Sequence, residues 1–329
     1  MILIMIRKIL ILPFFGQFNN YFNLWFFSCK CNPSIDWLII TDNPPPPDLP
    51  ANIHWIKQSF HELRASFQDK FDFQICLDTP YKLCDYKGFY GYLFSEYISG
   101  YDFWGYCDCD LVFGNIAAFL PEEIFQTYDK IFTKGHLSFI RNDPKINQNF
   151  QKYETYKIAL TTPVIYGYDE AIDGYRKGLT GELLDQGYKV YCETPPVDID
   201  FRHFPFYIIN QAPLPCIFTF EHGRLFKITR IQNTLHKEEV IYIHLQKRHM
   251  SVPINLFPEQ VIIYPNEISP YSNDLLNDDS FWCSVTTDKD HYYNFRKERQ
   301  EIWKRDFLRL LHEPNKLKCI AYRLRNLLK

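Results

Sequence analysis

The chain has 329 residues, a formal net charge of −3 and an aromatic share of 18%, with 23 tyrosines and 29 phenylalanines. Its length can bury a large core, as one α/β domain with appendages or as two smaller domains, and the nearly balanced charge gives no basis for bulk nucleic-acid binding. Ten scattered cysteines with no secretory signal before them read as reduced cytosolic thiols, not as a disulfide framework.

The apolar opening, MILIMIRKILILPFF, is split by Arg7 and Lys8 and closed by Pro13, so it lacks the run of about 18 apolar residues that a membrane span needs. An opening strand over residues 8–14 fits instead. Residues 17–29 have the apolar content of a helix, and DWLIIT at 36–41 predicts a second strand. Four consecutive prolines in the loop 42–50 impose an extended connection. A strand at 53–56, a helix near 59–70 and a long amphipathic piece at 81–98 come next. Strand, helix, strand at this spacing predicts a mixed, mostly parallel sheet flanked by helices.

The stretch YDFWGYCDCDLVFGN at 101–115 is an aromatic, strand-like run that stops at two carboxylates, Asp108 and Asp110. Oxygen ligands suit a hard cation such as Mg²⁺ or Mn²⁺, which keeps further coordination positions open for phosphate oxygens. In open α/β sheets ligands bind beyond the carboxyl ends of the strands, where this pair falls. The spacing alone is weak, because Asp198/Asp200 and Asp288/Asp290 repeat it. Only the first copy is framed by apolar strand residues and a Gly-Asn break. Cys29/Cys31 and Cys107/Cys109 have one residue between them, too few for a zinc site.

Further on, 116–120 predicts a short helix, 128–133 and 136–141 two strands, and 143–153 a helical or irregular excursion. Prolines and polar residues dominate 181–215, a strand returns at 239–245 (EVIYIHL), and Lys247-Arg248-His249 follows it. From residue 295 basic residues alternate with Ile302, Trp303, Phe307 and several leucines, and Pro314 divides the segment into two helices. Such a tail can lie on an anionic membrane surface or pack on the body with a solvated face.

The pieces PFFGQ at 13–17, TD at 41–42, YKLCDYK at 81–87, FWGYCDCDLVFGNI at 103–116, GHLSFIRN at 135–142 and HLQKR at 244–248 together resemble an uncharacterised bacterial family of GT-A-like polysaccharide glycosyltransferases. Gly88 departs from that pattern, which has proline after the lysine. The resemblance implies a GT-A-like, Rossmann-like catalytic domain over 1–265 with a basic helical extension over 266–329. It implies a nucleotide-sugar donor, favoured as a UDP-sugar, and Mn²⁺ or Mg²⁺ at Asp108, Asp110 and His244. Asp110 is the first choice for direct ligation, with Asp108 binding through water or touching the ribose.

On the same reading, developing charge on the departing diphosphate calls for cations, and Lys247 or Arg248 would grip the phosphates. Pro13, Phe14 and Gly16 would line the nucleotide pocket, with Thr41 and Asp42 at the uracil or ribose. Lys82 and Asp85 are either an ordinary helical turn or contacts to base, ribose or phosphate. Gly135, His136, Arg141 and Asn142 are candidates for the donor sugar or the acceptor. An inverting mechanism needs a carboxylate base, for which Asp169, Glu170, Asp198 and Asp200 are candidates, whereas a retaining one can use the leaving phosphate. The expected acceptor is a glycan or lipid-linked molecule of surface-polysaccharide synthesis, and the expected location is cytoplasmic, peripheral at the inner membrane face. A nucleotidyltransferase and a non-catalytic sugar- or nucleotide-binding protein stay open as alternatives.

Overall fold

KILILP is buried at all six positions, as a strand at the centre of a two-faced sheet must be. Its alternation sends Ile9 and Ile11 to one face and Leu10 and Leu12 to the other, where two separate apolar clusters receive them. The computed structural model describes residues 5–170, 177–246, 248–253, 258–290 and 292–312.

The strands of the first sheet are β1 (Lys8–Pro13), β2 (Ile35–Thr41), β3 (Ile53–Lys57) and β4 (Phe103–Cys107), followed after β5 (Leu111–Phe113) by β6 (Lys130–Ile131), β7 (Leu137–Arg141) and β8 (Val190–Tyr191). Their order is β3-β2-β1-β4-β7-β6-β8. The pairs β3–β2, β2–β1, β1–β4 and β6–β8 are parallel, and β7 runs antiparallel to both its neighbours. The chain therefore winds outward from β1 through β2 to β3 and then returns to the other side of β1 with β4. That reversal leaves a crevice at the carboxyl ends of β1 and β4.

Helices cover both faces. Trp25 and Cys29 of the helix Phe22–Lys30 join Leu10 and Leu12, whereas Leu63 and Phe67 of the helix Phe60–Gln68 join Ile9 and Ile11. Ser59 and Glu62 form a reciprocal capping box that starts the second helix. The first helix begins five residues later than its apolar content predicts, because residues 14–20 run along the end of β1 instead.

A second sheet is antiparallel, built from β9 (Cys216–Glu221), β10 (Arg224–Ile231), β11 (Thr234–Glu239), then after β12 (Tyr242–His244) from β13 (Gln260–Tyr264) and β14 (Glu267–Pro270), in the order β11-β10-β9-β13-β14. Phe218, Phe220, Val261 and Ile263 pack inward with Leu24, Val112 and Ile243. Ile217, Ile228 and Ile262 face the other way, under Phe281, Trp282 and Val285. A ribbon of β5 and β12 joins the two halves, with His244 opposite Leu111.

Three expectations change. The apolar run 239–245 is divided between the end of β11 and all of β12. The 81–98 piece is a 3₁₀ helix, Pro80–Phe89, continued by one turn of α-helix, Tyr90–Leu93. A side chain at Gly88 would meet the Tyr168 ring at 2.8 Å, which accounts for glycine there. The 265/266 boundary falls in the turn of the β13–β14 hairpin, and residues 267–286 belong to the packing of the second sheet. The tail forms one helix, Phe295–His312, and the second helix expected after Pro314 lies outside the described residues. Among the described residues no helix is long and apolar enough to cross a membrane.

Candidate functional site

A cavity of about 720 Å³ opens at the crevice beyond β1 and β4, lined by Pro13, Phe14, Tyr81, Cys84, Lys87, Tyr90, Asp108, Asp110 and His244 among others. This is the size of a small-molecule site. The 3₁₀ helix explains one wall. Its period of three puts Tyr81, Cys84 and Lys87 on one face, and Tyr90 extends the row, so all four reach the cavity.

The turn between β4 and β5 is held by its backbone. The Trp25 indole donates to the Asp108 carbonyl at 3.0 Å, the Asn19 amide to that of Cys109 at 2.9 Å, and Leu245 N–H to that of Asp110 at 3.0 Å. With the main chain fixed, the two carboxylates face the cavity. Lys87 Nζ donates to Asp108 Oδ1 at 2.6 Å and to the Gly135 carbonyl at 2.8 Å. Burial would raise the Asp108 carboxyl, but the charges of Lys87 and His244 outweigh it and hold it below its usual range.

His244 comes in from β12. Its Nδ1 lies 2.8 Å from Asp198 Oδ1, and a carboxylate only accepts, so Nδ1 is the donor and Nε2 is left facing Asp110 Oδ1 at 3.4 Å. Burial opposes charge on this ring, yet the Asp110 carboxylate 3.4 Å away, the Asp198 carboxylate that accepts from Nδ1 and the Asp108 charge raise it to about 10. Three carboxylates around one imidazole leave the site short of positive charge. A divalent cation fits that demand, taking the place of the ring proton. Two observations mark the position: Asp110 Oδ1 is buried without a hydrogen-bond partner, and one ligand atom each from Asp108, Asp110 and His244 lie within 4.8 Å of one another. Asp198, behind the His244 ring, fixes its tautomer and its plane, the part a carboxylate plays behind metal-binding histidines.

His136, Asp198 and His244 satisfy the same distance test, but their atoms are already engaged. His136 Nε2 is 2.8 Å from the Tyr242 hydroxyl. Burial, then the neighbouring His244, pushes His136 down to about 3, so it is a neutral ring, tilted 31° to His244 with 4.4 Å between the ring centroids.

Other expected residues fall into three groups. Gly135 is at the site through its backbone, its carbonyl on Lys87 and its N–H donating to Glu170 at 2.8 Å. Asp169 and Glu170 stand behind Gly135, off the cavity wall. Burial first, then Glu170 against the opposing pull of Lys87, pushes the Asp169 carboxyl up to about 7. Gly16, at φ +95°, donates to Asp42 at 3.1 Å, while Thr41 is buried under Asn43. These three shape the loop after β1 from behind, and Pro13 and Phe14 are its contribution to the wall.

The remaining expectations are corrected. Lys82 and Asp85 point to the opposite face of the 3₁₀ helix and pair at 2.5 Å, with Lys82 donating to the carbonyls of Ala159 and Val164 and Asp85 accepting from Tyr166 and Gly167. They fasten the 159–167 segment and do not line the cavity. Arg141 and Asn142 are at the far end of β7, opposite Phe103 and not opposite Cys107. Arg141 pairs with Asp129 there, and Asn142 donates to the Ile98 and Tyr101 carbonyls. The Arg248 guanidinium reaches the cavity wall, but it is buried and both terminal nitrogens are engaged, by the carbonyls of Asp200, Phe204 and Pro205 and by Tyr292, which leaves only Nε without a partner. Asp200 is bidentate on Arg202. Lys247 lies outside the described residues.

Lys87 is the functional residue the sequence reasoning passed over, although it sits in the YKLCDYK motif. The signal was available in the period of three from Tyr81, had a 3₁₀ helix been expected. The sequence profile of a family of unknown function, DUF6625, matches residues 10–272, and the chain belongs to that family. No curated protein matches it.

Proposed function

We propose that this DUF6625 protein is a metal-dependent glycosyltransferase on a GT-A-like sheet. Asp108, Asp110 and His244 would hold Mn²⁺ or Mg²⁺ against the diphosphate of a nucleotide-sugar, a UDP-sugar for preference, and the sugar passes to a glycan or lipid-linked acceptor. The observation that carries this reading is the buried Asp110 oxygen, without a hydrogen-bond partner and 3.4 Å from an imidazole already oriented by Asp198, at a β1/β4 reversal that opens into a cavity of nucleotide size. When bound, the cation would neutralise charge building on the leaving diphosphate. The protein's own part is positional. Lys87 keeps Asp108 ionised and aimed, and the tied backbone of residues 108–110 fixes the carboxylates before ligand arrives, so little reorganisation is needed. Among the described residues lining the cavity the carboxylates are Asp108 and Asp110, which favours a leaving-group phosphate over a protein side chain as the base. The loop after β1, FFGQFNN, carries no lysine or arginine, which counts against a nucleotidyltransferase.

Calorimetric titration with UDP tests the reading. The wild-type chain should bind UDP at least about tenfold more tightly with Mn²⁺ than in EDTA, and Asp110→Asn should abolish that difference. Equal affinity of the wild type in both buffers, or metal dependence that survives in Asp110→Asn, would overturn it.

A further inference from the structure

The helix Phe295–His312 carries its largest apolar side chains on the outside. Trp303 is 72% exposed, Phe307 50% and Leu311 51%, and their i, i+4, i+8 spacing draws one stripe along the helix. The Trp303 and Phe307 rings lie parallel, 3° apart in plane. Arg299, four residues before Trp303, continues the stripe. An exposed run of this kind on an otherwise well-packed chain calls for an occupant.

Charge identifies the occupant. Residues 295–312 hold six lysines and arginines against three acids, and 313–329 hold five against one. The preceding 294 residues hold 25 against 35, a formal −10 beneath a tail of +7. Apolar side chains set among cations match an anionic bilayer, whose surface attracts each added Lys or Arg.

Position gives the docking a purpose. Just before the helix, the Tyr292 hydroxyl is 3.1 Å from Arg248 on one wall of the cavity. The helix thus starts from one wall of the cavity mouth, where Arg248 stands, and Tyr81 lies elsewhere on the rim.

We infer that the helix Phe295–His312 docks the protein on an anionic lipid surface through Trp303, Phe307 and Leu311, with the cavity mouth turned toward the bilayer. Resting on the glycosyl-transfer reading for this last point, the orientation selects a lipid-linked acceptor over a free glycan. Docking itself does not depend on that reading, because it is measured with no nucleotide or metal present.

The test is co-sedimentation of the full chain with vesicles of phosphatidylcholine alone or mixed with phosphatidylglycerol, followed by amide hydrogen exchange on the bound protein. Binding should be at least about tenfold stronger to the mixed vesicles and should fall by a similar factor in high salt and in the Trp303→Ser/Phe307→Ser double variant. Exchange should slow at residues 79–84 and 295–312, and not at Glu122–Thr127, which is bonded to Lys8 at the opposite end of β1. Equal binding to both vesicles, no binding, or a folded double variant that binds as well as the wild type would overturn docking. So would a dimer that the double variant splits, which would give the stripe to a second copy. Slowed exchange at the helix with none at 79–84 would overturn the orientation.

Discussion

Asp198 belongs to a second Asp-x-Asp copy, and its neighbourhood gives it a task different from that of the first. Its Oδ1 faces His244 Nδ1 and also accepts from the Gln246 amide. The three copies of one pattern thus do three things. Asp108 and Asp110 face the cavity, Asp198 orients the imidazole, and Asp288 accepts from the His203 ring and from Phe204 N–H. Asp198→Asn keeps the size of the side chain but loses the charge behind the ring, so Mn²⁺ affinity should drop about 10- to 100-fold with the fold retained. Titration with Mn²⁺ followed by electron paramagnetic resonance, beside far-ultraviolet circular dichroism, reads both. At this scale the sequence was legible where context singled a residue out. Asp108 and Asp110 end an apolar strand, and the imidazole of His244 closes one. It misled where a lysine and an acid sat three apart, because Lys82 and Asp85 close on each other, an outcome that spacing alone does not distinguish from a ligand contact.

Elements with a strong period were readable, and those that depend on tight turns were not. β1, β2, β3 and the capped helix Phe60–Gln68 match their expected positions to within a residue or two. The antiparallel hairpins of β9, β10 and β11 went unrecognised, although each turns in two residues. His222-Gly223 and Gln232-Asn233 are all at positive φ, the geometry that suits the twist of paired strands. Polar residues along β11, exposed at five of six positions, hid the alternation. The helix Leu179–Asp185 lies in the stretch where prolines and polar residues gave no pattern, and it buries Glu182 completely. Burial pushes this carboxyl from 4.5 up to about 8, although the Tyr168 hydroxyl donates to it. The folded form therefore favours the protonated acid. Its stabilising effect is complete below the unfolded value near 4.5 and is lost as pH rises through about 8. Glu182→Gln should flatten the decline between about pH 4.5 and 8, which thermal melts of the two proteins across the same pH series will measure. A decline of equal depth in both would mean that other groups cause it.

On the scale of the whole molecule, charge is segregated, and the β5–β12 ribbon brings His244 to the turn between β4 and β5. An acidic body ending in a cationic helix should separate into two independent behaviours. A chain stopped at Asn294 keeps Tyr292 on Arg248, so it should retain metal-dependent UDP binding by calorimetry while failing to sediment with anionic vesicles. Loss of both together would show that the helix supports the cavity and does not merely flank it. The parallel half of the architecture was foreseeable from strand and helix periods, but the pairing of β5 with β12 was not, since a match of three residue pairs across so much chain leaves no local trace. That pairing has a temporal consequence. Asp108 and Asp110 emerge from the ribosome well before Asp198 and His244, so a nascent chain shows two of the three proposed ligands while the first sheet collapses. On the proposed metal-dependent reading, ion capture would then wait for the last third of the polypeptide, and a newly made molecule would become competent only when synthesis and folding had both run nearly to completion.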